Sequence, residues 1–301
     1  MADGTKIEWT DATWQIVTGC TIKSPGCLHC YAMKLAAERL RDIPSRVGLT
    51  HEVNGHKVWT GEVRFNEGWL DQPLSWTRPR NIFVAAHGDL FHEGVIDHWL
   101  DRVWAVMILA KQHKFQVLTK RPERAMEYLS GGRPLYERVL RAADPIRDAR
   151  PRLTSVPIDD PAFGAFHRNI WIGTSVERQQ EADERRGPLK QIADMGFNTW
   201  VSYEPALGSV DWSGWEFIRW MVSGGESGPD ARPTDSVWHR ACRDWCIRNA
   251  VPYFMKQWGS WHADALRYTD MEGRCPPPNM KIGKKAAGAL LDGREWREFP
   301  A

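Results

Sequence analysis

The 301-residue sequence predicts an α/β fold with parallel strands, wound as a partial (β/α)6-type TIM-like barrel. Three observations predict it. Short, nearly continuous apolar runs recur along the chain, the pattern of strands buried on both faces of a parallel sheet. Stretches with helical apolar spacing lie between them, which makes βαβ units with right-handed crossovers. Each apolar run ends abruptly in a polar cluster, and in such barrels the C-terminal strand ends gather on one rim, where the chemistry resides. An open, doubly wound sheet is the alternative.

The elements follow in chain order. A first strand is expected over Thr13–Val17, delivering the residues after it to that rim. A helix over Tyr31–Arg41 has Met33, Ala36, Ala37 and Leu40 on one face. Ile82–Ala86 then runs into the polar cluster His87–His92, and Phe115–Leu118 into Thr119–Pro122. Ile170–Ile172 is followed by Gly173–Glu177, Thr199–Val201 by Ser202–Pro205, and Trp220–Val222 by Ser223–Gly228. Tyr253–Met255 closes the series at Lys256–Gly259. Helices are expected over Val95–Lys111, Glu177–Met195 and Ser236–Asn249, the last with Asp235 or Ser236 as N-cap.

Two stretches interrupt this rhythm. Residues 43–80, rich in Trp, Gly and Pro, read as an insertion before the second strand. A second spans about 125–168, and nine Lys/Arg face five Asp/Glu between Lys120 and Leu153. That stretch is either a basic element facing a substrate or a solvated surface excursion. The barrel with its insertions accounts for residues 1–260, and 261–301 read as an extension packed on it.

Composition bounds the function. Hydrophobic residues make up 42% and charged residues 26%, values of a globular protein. No apolar run approaches the ~18 residues of a membrane span, so no membrane partner is expected. A net charge of +2 neither demands nor excludes nucleic acid. Among seventeen tryptophans, Trp9, Trp14, Trp258 and Trp261 stand in polar surroundings, where a flat ring serves a site as well as a core. Six cysteines without a signal-like apolar N-terminus point to a reducing cytoplasm rather than a disulfide scaffold.

Cys20, Cys27 and Cys30 carry the chemistry. Three thiols fall within eleven residues, the last two spaced C-x2-C, and no fourth cysteine lies near. A closed structural zinc site takes four protein ligands, whereas a catalytic centre keeps one position open. Three thiolates on a four-iron cluster would leave one iron for an exogenous ligand. A zinc knuckle completed by His29 or a distant histidine, or a disulfide with a spare thiol, are the other readings. Cys242, Cys246 and Cys275 are scattered; Cys242 and Cys246, four apart on an expected helix, read as ordinary buried thiols. A helix starting at Tyr31 would place its positive end beside the thiolates.

A three-cysteine loop after the first strand of a βα barrel, followed by a helix, resembles the start of radical S-adenosylmethionine (radical SAM) enzymes. Their usual spacing is C-x3-C-x2-C; here it is C-x6-C-x2-C, and His29 stands where an aromatic residue usually precedes the last cysteine. More closely, the chain resembles a phage- and prophage-associated family of unknown function. That resemblance rests on Ile7–Trp14, the cysteine loop, Gly88–His92, Leu118–Pro122, Gly224–Gly228, Phe254–Trp258 and Leu290–Gly293.

The radical SAM resemblance implies that Cys20, Cys27 and Cys30 hold a [4Fe-4S] cluster. Its open iron would chelate S-adenosylmethionine and, after one-electron reduction by a flavodoxin- or ferredoxin-type partner, release a 5′-deoxyadenosyl radical. Candidate cofactor contacts are His29 and Tyr31 beside the cluster, Gly88 and Asp89 for the methionine amine, and Lys120 or Arg121 for its carboxylate. Glu177 or Glu204 is a candidate at the ribose and the Gly224–Gly225 backbone near the adenine, with Ser175 and Glu226 as further cofactor contacts. His92, Lys256, Gln257 and Trp258 are candidates for substrate. Phage association suggests a nucleic-acid base or nucleotide as substrate, in a host cytoplasm. The arginine-rich stretch, Lys281, Lys284 and Lys285, and stacking tryptophans would serve it. Two other classes remain: a zinc-bearing nucleic-acid-binding protein without catalysis, and a magnesium nuclease or hydrolase using Asp89, Glu177, Glu204 and Glu226.

Overall fold

A computed structural model of the chain describes residues 4–150, 168–268 and 274–300. The end of the basic stretch, residues 151–167 with Leu153, lies outside them. By contact density the chain divides into two compact units. Unit 1 comprises residues 1–23, 30–173 and 191–198, and unit 2 residues 24–29, 174–190 and 199–301.

In unit 1 the first strand, β1 (Ala12–Trp14), is shorter than expected. The chain leaves the sheet at Gln15, whose side chain accepts the His87 N–H and whose carbonyl is taken by Asn66 Nδ2. Val17–Thr18 (β2) then pairs antiparallel with Arg64–Phe65 (β5). Helix α1 (Tyr31–Ala37) also ends early, four residues before Arg41. The first insertion holds a ribbon of β3 (Thr50–Val53) and β4 (His56–Trp59). Its tip, Asn54-Gly55, has positive φ at both residues (49° and 78°), as a type I′ hairpin turn requires.

Strand β6 (Asn81–Val84) pairs parallel with β1 on one side and with β7 (Lys114–Thr119) on the other. Helix α2 (Asp97–Leu109) buries nine of its thirteen residues, Trp104 and Met107 among them. A helix apolar nearly all round needs cover on its outer side. The cover is α4 (Gly132–Ala149), reached through α3 (Pro122–Leu129). The described part of the second insertion is therefore two helices that complete a core, not an irregular excursion. Its arginines meet acids: Arg138 pairs with buried Asp101, Arg150 with Asp71, Arg147 with Asp144 and Arg133 with Glu137.

Strand β8 (Ile170–Ser175), buried throughout, passes from unit 1 to unit 2 at Gly173. After α5 (Gln179–Asp194) come β9 (Asn198–Tyr203), β10 (Met221–Gly224), α6 (Ser236–Arg248) and β11 (Tyr253–Gln257). Asp235 is the N-cap of α6, its carboxylate accepting the Val237 N–H. The pairs β9–β10 and β10–β11 are parallel. Phe254 bridges antiparallel to Arg297, so residues near the C-terminus cover the β11 edge.

The seven-stranded sheet has the order β1-β6-β7-β8-β9-β10-β11, which is chain order throughout. A doubly wound sheet would reverse direction at a switch point. This one does not, so its winding is that of the partial TIM-type barrel, with seven strands instead of six.

Candidate functional site

In unit 1, the residues after β1 and β2 lead into Cys20 against the ends of β6 and β7. Gly19, at φ 94°, forms an isolated parallel bridge with Gly88. Neither glycine has room for a side chain. A Cβ on Gly88 would stand 3.0 Å from the Gly19 and Val17 carbonyl oxygens, and one on Gly19 would stand 2.1 Å from the Glu62 carbonyl. Gly88 thus admits the backbone of the cysteine loop.

Arg121, 2% exposed, organises the residues around Cys20. Its Nε donates to both Glu93 carboxylate oxygens at 2.8 and 2.9 Å. Nη1 donates to Asp89 at 3.0 Å and approaches the Cys20 sulfur at 3.8 Å, while Nη2 donates to Thr21 Oγ1. Against burial, which works the other way, Asp89, Glu93 and Cys20 hold this guanidinium firmly charged. A guanidinium beside a sulfur favours the thiolate, the form that binds metal. His92 holds the same threonine. Its Nδ1 accepts the Gly94 N–H at 3.0 Å, so Nε2 carries the proton and donates to Thr21 at 3.2 Å.

Asp89 is the hub of this network. One oxygen accepts from Thr119 Oγ1 at 2.6 Å and from the Phe91 N–H, the other from the Lys120 N–H and Arg121. Four donors meet about the four lone-pair sites a carboxylate offers. Cys30, at the N-terminus of α1, packs with Cys20 against the apolar cluster of Ala32, Met33, Ala36, Leu49 and Trp59. Tyr31 Oη donates to the Ala86 carbonyl at 2.6 Å, its ring half exposed.

In unit 2, the segment Ser24–His29 with Cys27 is held by two strand-end acids. Glu177, fully buried just after β8, accepts from Ser24 Oγ at 2.7 Å and from Arg185 at 3.0 Å. Arg185 also donates to the Ser175 carbonyl. Gly26 lies so close that a Cβ there would meet Glu177 Oε1 at 2.5 Å. Glu226 contacts His29 Nδ1 at 3.0 Å and accepts from Arg232, whose Nη2 also donates to the Pro25 carbonyl. Burial would raise the Glu226 carboxyl, but Arg232 and His29 hold it below the ordinary carboxylate range.

The remaining candidates in unit 2 lie at the ends of β9, β10 and β11. Glu204 pairs with Lys256 at 3.1 Å and accepts from Ser202. Gly224 and Gly225 face the backbone after β11, where a Cβ on Gly225 would stand 2.1 Å from the Trp258 carbonyl. Gln257 donates to the Gly225 carbonyl and accepts from Ser227. Trp258 is buried, its indole donating to the Leu290 carbonyl. Trp9 and Trp14 are buried as well, so none of these three offers a stacking face. Trp261 is half-buried beneath Lys281.

The magnesium reading loses its ligands here. Asp89, Glu177, Glu204 and Glu226 are each matched by Arg121, Arg185, Lys256 or Arg232. Among the described residues, no three His, Cys, Asp or Glu side chains are grouped to hold one metal ion. A single zinc ion needs its sulfurs about 3.8 Å apart, from 2.3 Å bonds in a tetrahedron. A four-iron cluster takes each thiolate on a different iron, so its ligand sulfurs stand farther apart than on a single ion but still surround one group. All six cysteines are thiols; Cys20 and Cys30 are half-buried and Cys27 is buried.

Spacing and residue type had not singled out Ser24, Thr21, Glu93, Arg185 or Arg232. For Glu177 and Glu226 the usable signal was an arginine eight or six residues further on, which a helix or loop can fold back onto the acid.

No curated protein matches the sequence. Among solved structures, spore photoproduct lyase complexed with dinucleoside spore photoproduct and a mutant of spore photoproduct lyase are similar, each at a TM-score of 0.37. Identities are 11% and 12% over 70% of this chain. The chain spans about half the length of those lyase chains, 55%. Residues 4–300 match the family described as protein of unknown function (DUF5131), and the chain belongs to that family.

Proposed function

We propose that the chain is an iron–sulfur enzyme of the radical SAM type, with Cys20, Cys27 and Cys30 as ligands of a [4Fe-4S] cluster. The observation that carries this is the three-thiol loop lying between the first strand and the next strand of a parallel, sequentially wound sheet. When bound, such a cluster and S-adenosylmethionine supply a 5′-deoxyadenosyl radical for hydrogen abstraction, fed by a one-electron reductant of the flavodoxin or ferredoxin type.

The chain's own residues have three tasks. Arg121, Asp89 and His92 fix the Cys20–Thr21 segment and put positive charge at a ligand sulfur. Glu177 and Glu226 fix the segment of Cys27 through Ser24 and His29. Lys120, at the end of β7, we assign to the methionine carboxylate, and the partly exposed Glu204–Lys256 pair to substrate. The substrate we take to be a nucleic-acid base or nucleotide, supported by exposed Lys284 and Lys285.

The test is anaerobic reconstitution with iron and sulfide, then electron paramagnetic resonance of the reduced protein with and without S-adenosylmethionine. A reduced [4Fe-4S] signal that shifts on adding the cofactor is expected. Cys27→Ala should lose cluster loading while Cys246→Ala retains it. A colourless protein holding stoichiometric zinc would overturn the proposal in favour of a metal-stapled binding protein.

A further inference from the structure

Arg46 carries a charge that the fold does not neutralise. It is 4% exposed. Its Nη1 donates to the Ser45 carbonyl and hydroxyl at 3.3 and 2.6 Å, and Nη2 to His87 Nδ1 at 2.8 Å. All these acceptors are neutral, because burial and the nearby Arg46 and Arg39 depress the His87 imidazole to about 4. Among the described residues, the enclosed Nε–H meets no acceptor. Burial, reinforced by Arg64, lowers the guanidinium only to about 10, so it stays a cation at neutral pH. A buried charge is ordinarily paired, and a buried donor without a partner is destabilising.

Arg46 lines a cavity of ≈ 250 Å³ beside the C-terminal end of α1 and the β3–β4 ribbon. Ala36 and Ala37 form a small-residue wall, and Arg41, His51, Glu52 and Lys57 stand with Thr50 around the rest. Glu52 is engaged by Lys57, and Arg41 has Asp42 at 3.2 Å, both pairs exposed to solvent. The lining thus holds three permanent cations against one carboxylate. Exposed ion pairs of this kind contribute little and rearrange readily.

We propose that this cavity binds a phosphate group, with Arg46 as its buried anchor and Arg41 and Lys57 at its mouth. A guanidinium matches phosphate oxygens in a planar fork, which a point charge does not. The volume sets the rest of the ligand. It lies below the roughly 300–1,000 Å³ of sites that enclose a whole small molecule, so the phosphate enters and the remainder of its molecule stays outside. A phosphodiester of a nucleic-acid strand and a free nucleotide both satisfy that chemistry. The site also touches the cysteine loop's footing, since Ser45 accepts from Thr18 Oγ1 at 2.7 Å and His87 precedes Gly88. It needs no cluster to bind.

Titration calorimetry of the full chain, without reconstitution, tests this with three probes: inorganic phosphate, a nucleoside 5′-monophosphate and a short single-stranded oligonucleotide. At least one probe should bind, and Arg46→Gln should weaken it tenfold or more with circular dichroism unchanged. If Arg46→Gln fails to fold, the surface variant Arg41→Ala/Lys57→Ala carries the test, and a several-fold loss is expected. Binding by all three probes identifies a small-anion site, and binding by the oligonucleotide alone identifies a strand site. No binding by any probe, or affinities unchanged in folded variants, overturns the proposal. Because no cluster is loaded, failure here is separable from failure of the radical SAM reading.

Discussion

Four hydrogen bonds converge on the Asp89 carboxylate, and every donor belongs to the chain. Removing one partner of a buried ion pair leaves the other charge stranded, at about 3–5 kcal/mol. Asp89→Ala should therefore cost that much in denaturant unfolding, whereas Glu93→Gln, at an exposed carboxylate on the same arginine, should cost under about 1 kcal/mol. Equal losses would mean that Asp89 is not the hub. The acids at strand ends were legible in the sequence as special, but their work was not. An acid after a strand reads alike whether it faces a ligand or a buried arginine such as Arg185, because burial is set by distant chain. His239 gives a second residue-scale test. It is fully buried between Ser223 Oγ at 2.5 Å and Thr234 Oγ1 at 2.8 Å, and burial depresses its imidazole to about 3. Between pH 6.5 and that value the unfolded chain holds a proton that the native state refuses. Stability therefore falls on acidification, by about 1.4 kcal/mol per pH unit. In urea titrations between pH 6.5 and 4, His239→Gln should lose one proton's worth of this slope, and an unchanged slope would refute the assignment.

Element boundaries follow from tertiary contacts that local pattern does not encode. β1 stops at Trp14 because Gln15 is drawn to His87 and Asn66, and the apolar Ile16 and Val17 continue a strand-like pattern that ends elsewhere. The helix pair α3–α4 went unread because an arginine- and proline-rich sequence looks like loop until α2 requires cover. Glycines mark where elements touch. Gly19 and Gly48 share positive φ, at 94° and 78°, but only Gly19 abuts backbone. Gly48→Ala should cost only the ~1–2 kcal/mol of the left-handed conformation. Gly19→Ala should in addition displace Cys20 and lower iron bound per chain after reconstitution, and full iron content would show that the loop does not depend on this contact.

Across the whole molecule, the recurrent strand-then-polar-cluster rhythm was enough to read class and winding, because sequential parallel strands leave a repeating signature. What the rhythm could not carry is the division into two units, since that depends on contact density. The C-terminal residues show how far apart supporting parts lie. Trp220 Nε1 donates to the Glu298 carbonyl and Phe299 packs on Trp220 and Phe254. Deleting residues 294–300 should bare the β11 edge and raise light scattering at micromolar concentration; a variant as monodisperse as the parent would show the edge needs no cover.

The anchors of Cys20 also have a consequence for biosynthesis. Gly88 and His92 follow it by some seventy positions and Arg121 by 101. At roughly 5–20 residues per second, a ribosome exposes the cysteine loop for several seconds before those anchors emerge. During that interval its thiols lie outside the fold that later holds them, so they stand open to oxidation, a hazard that the order of translation itself creates.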